Sequence, residues 1–274
     1  VGTGIMGANI AGHLMDAGYD LTVYNRTRAK AEDLLARGAH WAAKPAEAAA
    51  NADVVFTMVG YPSDVEDVYL STDGLIRTAK KGAWLIDLTT SSPQLARDIH
   101  DAAEVEDKHA FDCPVTGGEQ GAIDGTLTLI AGITEAAAAP VLRCRRVFSS
   151  KIFYFDQPGG GQTAKLCNQV SLASCMVGYA DALALAEQSG IDAEKVLEVM
   201  RPARAAPARP GPWHPSPSRA TTSRASWPST CARTSAWPCS APRTWTSPCP
   251  VPRPRSPSLT CSARSAGRAW ARRP

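Results

Sequence analysis

Residues 201–274 contain no Asp, Glu or Lys, and no Asn, Gln, Ile, Met, Phe or Tyr. The same stretch carries 13 of the 29 basic residues, 15 of the 21 prolines and five of the seven tryptophans. Proline at this density excludes a sustained helix or strand, because each ring removes a backbone donor and crowds the preceding turn. Two readings remain. One is a basic, Pro-rich disordered tail that binds an acidic partner, although five tryptophans and four cysteines are foreign to that class. The other is a frameshift in a GC-rich gene. Permitted codons for Ala220 to Pro250 can be chosen so that reading from their third base gives a peptide with acidic residues and helical periodicity. A shift beginning near Arg201 is therefore expected, leaving 201–274 a disordered tail without function.

Residues 1–200 lack different things. Cys113, Cys144, Cys167 and Cys175 form no C-x-x-C pair, which argues against a zinc site or a disulfide framework and for reduced thiols. No cluster of His, Asp and Glu suggests a metal. The 26 acidic residues all fall here beside 16 basic ones, a net charge of −10 that argues against nucleic acid as the main partner. No signal peptide or membrane-spanning run stands out, so a soluble cytoplasmic protein without a membrane partner is expected. A glycine motif follows Val1 directly, where a buried strand of about five residues normally precedes it. The first strand is expected to be truncated.

What is present is a periodic alternation. Gly2, Gly4 and Gly7 have the G-x-G-x-x-G spacing of a dinucleotide-binding turn, with Ile5 and Met6 opening a helix to Ala17. Phosphates would sit at that helix N-terminus, where unpaired N–H groups and the dipole favour negative charge. Apolar runs at Asp20–Tyr24, Val54–Val59, Ala83–Asp87, Ala110–Asp112 and Thr126–Ala131 read as buried strands. Helices are expected at Ala29–Arg37, Pro62–Leu70 and from Ser92 to about Ala103. The fold class is therefore α/β, a Rossmann-type doubly wound parallel sheet. From Gln162 to Gln188 the pattern becomes one long, mostly apolar helix, and a second helix starts near Asp192. The expected organisation is an NADP-binding domain over 1–161, then the interdomain helix and start of an α-helical domain over 162–200. That domain is truncated or frameshifted.

Three segments could carry chemistry. Tyr24-Asn25-Arg26-Thr27 ends the second strand without the carboxylate that usually binds an NAD ribose. Arg26 could pair with a 2′-phosphate, with Asn25 and Thr27 adding hydrogen bonds, or could be a solvated arginine. The former favours NADP, with NAD possible. Thr116-Gly117-Gly118 could form a backbone nest for a small carboxylate, or a plain Gly-rich turn. Lys165, Asn168 and Gln169 share one helix face. A lysine near a helix start is unfavourable for the dipole. It could exchange a proton with a carbonyl oxygen, or snorkel from a buried helix.

Together, Gly2-Thr3-Gly4-Ile5-Met6-Gly7, Tyr24-Asn25-Arg26-Thr27, Asp112 to Gly118 and Gly161 to Asn168 resemble four ordered motifs of the 3-hydroxyisobutyrate dehydrogenase family. The resemblance covers residues 1–200. It implies a β-hydroxyacid dehydrogenase in which Lys165 is catalytic and Asn168 lies beside the reacting centre. It implies that Thr116, Gly117 and Gly118 bind the substrate carboxylate, and that Gln169 replaces a second Asn. Met58, Val59, Gly60, Tyr61 and Pro62 match a loop approaching the cofactor ribose, and Thr90 a nicotinamide-side threonine. The implied partner is a small hydroxy acid or semialdehyde, with a homo-oligomer for the intact enzyme. Tartronate semialdehyde reductases and glyoxylate/succinic semialdehyde reductases belong to the same group. A non-catalytic Rossmann binding protein or an inactive pseudogene product are further alternatives. A Lys-Asp-Leu segment of the family is missing, although the shifted frame supplies it.

Overall fold

Two glycines decide the first turn of the chain. Gly2 has φ +87°, and a Cβ there would collide with the Met58 carbonyl, while a Cβ on Gly7 would collide with the carbonyl of Gly2 itself. Only glycine lets helix α1 (Ile5–Asp16) start this close to the strand ends. Its inner face presents Gly7, Ile10, Ala11 and Leu14, and Gly18 at φ +82° stops it. The computed structural model describes residues 1–205. Most of the expected tail thus lies outside the described residues.

Strand β1 (Thr22–Val23) leads through α2 (Glu32–Ala36) to β2 (His40–Trp41), with which it pairs in parallel. After α3 (Pro45–Ala49) come β3 (Val54–Thr57), α4 (Pro62–Leu70), α5 (Leu75–Thr78), β4 (Trp84–Asp87), α6 (Pro93–Val105) and β5 (His109–Asp112). β3, β4 and β5 form a parallel sheet in that order. The pleat sorts its side chains. Val55, Leu85 and Ala110 lie in one row and pack on Val65, Tyr69, Leu75 and Ile99 of the covering helices. Phe56, Ile86 and Phe111 lie in the next row and pack on Ile10, Leu14, Leu129 and Phe148. Both faces are covered, so the strands read as continuous apolar runs. Each such leucine or phenylalanine contributes about 1.5–3 kcal/mol of burial.

The expected parallel pattern has one exception. β6 (Val115–Thr116) pairs antiparallel with β7 (Leu127–Ala131) across α7 (Gly118–Ile123). After α8 (Glu135–Ala138) and α9 (Leu142–Arg145), β8 (Ser149–Tyr154) adds to β7 in parallel. A connection as short as α7 permits only the antiparallel return, because a parallel crossover needs a dozen or more residues.

Val1 and Gly2 stand between β1 and β3. The Val1 nitrogen donates to Phe56 O at 2.8 Å, Met58 N to Val1 O at 2.9 Å, and Gly2 N to Tyr24 O at 2.8 Å. Beside them lies a cavity of about 460 Å³ lined by Ile10, Leu14, Leu21, Val23, Val54 and Phe56.

Helix α10 (Gly160–Gln188) follows, then α11 (Ala193–Ala205). Val1–Asp181 form one compact unit, and a second begins at Ala182. The first unit therefore keeps most of α10, twenty residues beyond the expected domain end at 161. Within the second, Gly190 at φ +68° ends α10 and the Asp192 carboxylate caps α11 by accepting from Glu194 N at 2.9 Å. The α11 backbone runs to Ala205, beyond the expected break near Arg201. By length and composition α10 is apolar enough to cross a membrane, where the sequence reading expected no such run. Its 29 residues hold few charges, but its first turn is buried against strand ends.

Candidate active site

Every segment singled out in the first unit follows the C-terminal end of a strand or opens a helix there. Asn25–Thr27 follow β1, Met58–Pro62 follow β3, Thr89–Thr90 follow β4, and Cys113 onward follows β5. Ligands of open parallel sheets bind at this edge, because the helix N-termini and mobile loops converge on it.

The start of α1 is built for an anion. No side chain caps it, its first turn holds no acidic residue, and Ile5 is exposed. A Cβ on Gly4 would meet nothing within 4 Å. The unpaired N–H groups of that turn therefore face open space of the kind a pyrophosphate fills. This fits a dinucleotide.

The neighbouring residues are less free than expected. Asn25 accepts from Thr3 N at 3.1 Å and donates to Thr27 O at 2.9 Å, so its amide ties the glycine loop to the end of β1. Arg26 is 77% exposed and donates to Asp64 Oδ1 at 3.1 Å. The other oxygen of that carboxylate accepts from Tyr61 N at 3.1 Å. Exposed Tyr61 and Gly60 are thus held by α4 beside Arg26. Met58, just past β3, donates its N–H to Val1 O at 2.9 Å, and Val59 N donates to the Thr89 hydroxyl at 3.0 Å. Thr89 is buried at the end of β4, whereas Thr90 is half-buried.

Gly117 and Gly118 take φ +131° and +65°, a pair of consecutive left-handed residues that only glycine adopts cheaply. A Cβ on Gly117 would press on Leu127, but one on Gly118 would meet nothing. The open side is therefore at Gly118, next to half-buried Thr116.

Lys165 is 7% exposed, and burial lowers the pKa of its amine from the usual lysine value. Among the described residues no carboxylate lies within ion-pair distance of it. Asn168, one turn on, is exposed and donates to Gln169 Oε1 at 3.3 Å. One turn before Lys165, buried Gln162 donates to Thr89 O at 2.7 Å and accepts from Ser91 N at 2.8 Å. The loop after β4, with Thr90 in it, is thereby bonded to the helix that carries the lysine.

Sequence reasoning assigned no role to Gln162, Thr89, Asp87 or Asp112. A signal existed. Asp87 and Asp112 end two apolar strands and pair across the sheet. Asp87 is fully buried, which pushes its pKa up to about 7 against the pull of its Thr89 hydrogen bonds. Asp112 is also pushed up by burial, against N–H groups of Gln162 and Gly159. Burial raises the Cys113 thiol too, so that cysteine is inert as a nucleophile.

Known proteins match the chain in two blocks. Residues 1–155 match the NAD binding domain of 6-phosphogluconate dehydrogenase, and residues 159–208 the NAD-binding segment of NADP-dependent 3-hydroxyisobutyrate dehydrogenase. An uncharacterized oxidoreductase of Bacillus subtilis is 43% identical over 72% of this chain and 69% of its own. A probable mitochondrial 3-hydroxyisobutyrate dehydrogenase-like protein of Arabidopsis thaliana is 42% identical over 75% of this chain and 61% of its own. The chain thus spans about two thirds of the curated relatives it matches. The solved 3-hydroxyisobutyrate dehydrogenase of Mycobacterium tuberculosis, determined with L-serine, superposes with a TM-score of 0.66 at 32% identity, covering 73% of this chain and 68% of that one. On these matches the chain belongs to the 3-hydroxyisobutyrate dehydrogenase family of NAD(P)-dependent β-hydroxyacid dehydrogenases.

Proposed function

We propose that the chain carries an NADP(H)-linked oxidoreductase interconverting a small 3-hydroxy acid and its semialdehyde, most like 3-hydroxyisobutyrate dehydrogenase. The observation that carries this is Lys165, a nearly buried amine of lowered pKa on a helix bonded to the sheet's ligand edge. A bound nicotinamide supplies the hydride acceptor or donor. Gly2, Gly4 and the first turn of α1, with Ile5 and Met6, hold its pyrophosphate. Arg26 takes the 2′-phosphate by releasing Asp64, with Asn25 and Thr27 beside it. Met58, Val59, Gly60, Tyr61 and Pro62 flank the ribose, and Thr90 faces the nicotinamide.

Thr116 with the amides of Gly117 and Gly118 holds the substrate carboxylate, which fixes the carbon presented for hydride transfer. Lys165 accepts the hydroxyl proton during oxidation and returns it during reduction, with Asn168 and Gln169 orienting the oxygen. Oxidation needs the neutral amine, so its kcat/KM rises as pH rises through the lowered pKa, and reduction falls over the same range. L-Serine, found with the solved relative, is itself a 3-hydroxy acid, in keeping with this substrate class. Exposed Val170, Leu172 and Met176 on α10 accord with a homo-oligomer. A soluble cytoplasmic setting goes with this chemistry.

The test is Lys165→Ala. Turnover of 3-hydroxyisobutyrate, L-serine, tartronate semialdehyde and succinic semialdehyde is assayed with NADP(H), alongside NADPH binding by fluorescence. The variant binds NADPH as the parent does and loses turnover on whichever substrate the parent uses. Unchanged turnover would reject the role of Lys165.

A further inference from the structure

The Asp112 carboxylate is 2% exposed and lies under the first turn of α10. Its Oδ1 accepts from Gly159 N at 2.8 Å and its Oδ2 from Gln162 N at 2.6 Å. These two donors span the helix start, from the residue before the first turn to its third position. A carboxylate from a strand 47 residues earlier thus does the work of an N-cap on a 29-residue helix.

The surroundings are shaped for it. A Cβ on Gly132 or Gly161 would run into the Asp112 oxygens, so both positions must be glycine for the carboxylate to fit. Gly159 has φ +77° and lies against the Pro93 carbonyl. The next anchor is Gln162, 0% exposed, whose amide bonds Thr89 O and Ser91 N. Four hydrogen bonds therefore fix α10 to the ends of two adjacent strands. Lys165 projects one turn further along.

We propose that Asp112 and Gln162 are the positioning residues for Lys165: they set where α10 begins on the strand ends, and so where the amine stands. This rests on the reading of Lys165 as the proton-transfer group. An amine has no backbone tie of its own, and a misplacement of about 1 Å is enough to cost roughly 100-fold in rate. Asn in place of Asp112 offers one acceptor oxygen where two N–H groups need one each.

The experiment compares Asp112→Asn, Leu75→Ala and Lys165→Ala in the 274-residue protein, by hydrogen exchange, NADPH binding and kinetics. Leu75 is buried in the apolar cluster around Val55, Leu85 and Ala110 and serves as a control for general loss of stability. In Asp112→Asn, exchange at residues 159–165 accelerates at least about tenfold, NADPH Kd stays within about threefold, and kcat falls about 100-fold. Leu75→Ala lowers Tm, speeds exchange across the sheet domain and keeps kcat within about twofold. Unchanged exchange at 159–165 in Asp112→Asn, or an equal kcat loss in both variants, overturns the proposal. Should Asp112→Asn not fold, Gln162→Met removes the two side-chain bonds and leaves those of Asp112. It then lowers kcat about tenfold with NADPH affinity unchanged, and parental kcat overturns the proposal equally. If Lys165→Ala turns over like the parent, the proton-transfer reading falls, while the exchange data still decide whether Asp112 anchors the helix.

Discussion

Of the helices that the chain enters through glycines, α1 and α10 use their entrances in opposite ways. At α1, Gly2, Gly4 and Gly7 bring the helix against the sheet and leave its first turn uncapped and open. At α10, Gly159, Gly160 and Gly161 also bring a helix against strand ends, but the first turn is filled by the Asp112 carboxylate. One entrance leaves room for a ligand's negative charge; the other is closed by the protein's own. The same residue type answers the same need, close backbone approach, and what lies beyond the turn decides between binding and anchoring.

Substitutions should separate the two. The largest effect is expected for Gly161→Ala, whose Cβ meets the Ile130 carbonyl and the Asp112 carboxylate in a closed space. Overpacking there costs about 3 kcal/mol, read as a loss in urea unfolding with or without cofactor. Arg26→Ala comes next. Its exposed ion pair contributes under about 1 kcal/mol, so Tm holds, while NADPH binding weakens by about 2 kcal/mol and NADH binding does not. Calorimetry with both cofactors checks this, and equal losses would remove Arg26 from the 2′-phosphate.

Gly4→Ala should behave as the mirror of Gly161→Ala. The site is open, with φ −74°, so stability drops by less than about 1 kcal/mol. NADPH affinity nevertheless falls about tenfold, because the methyl occupies phosphate space.

The smallest effect concerns Asp87, whose pKa is raised to about 7 from 3.8. Between those values the folded state holds a proton that the unfolded state has lost, so stability declines as pH rises across this window. Asp87→Asn keeps the oxygen that accepts from Thr89 N. It should flatten that slope and raise stability at pH 8 by about 1 kcal/mol, after the burial cost of the amide. Thermal unfolding from pH 4 to pH 8 measures it.

Much of the sheet was legible in the sequence, because a two-sided parallel sheet turns strands such as Val54–Thr57 and Trp84–Asp87 into unbroken apolar runs. β8 was not legible. Ser149, Ser150 and Lys151 break its pattern, and its register slips beside Leu127. β2 was lost for a similar reason, since two residues hold no period. The glycine turns could be read from spacing, whereas Lys165 stood out by its place near a helix start and took its expected role from the family resemblance. The partners that hold them could not: Asn25 with Thr3, Arg26 with Asp64, and Asp112 with Gly159 join residues 22 to 47 apart, and no local pattern records such pairs. Asp112 stood inside a quoted motif, yet its burial gives it meaning only once α10 is placed above it.

The most direct measurement is a crystal structure with NADP and a 3-hydroxy acid bound. The account predicts Lys165 Nζ within about 3 Å of the substrate hydroxyl, with the nicotinamide on the other side of the reacting carbon. An amine turned to solvent, with the carboxylate held away from Thr116, Gly117 and Gly118, would contradict it.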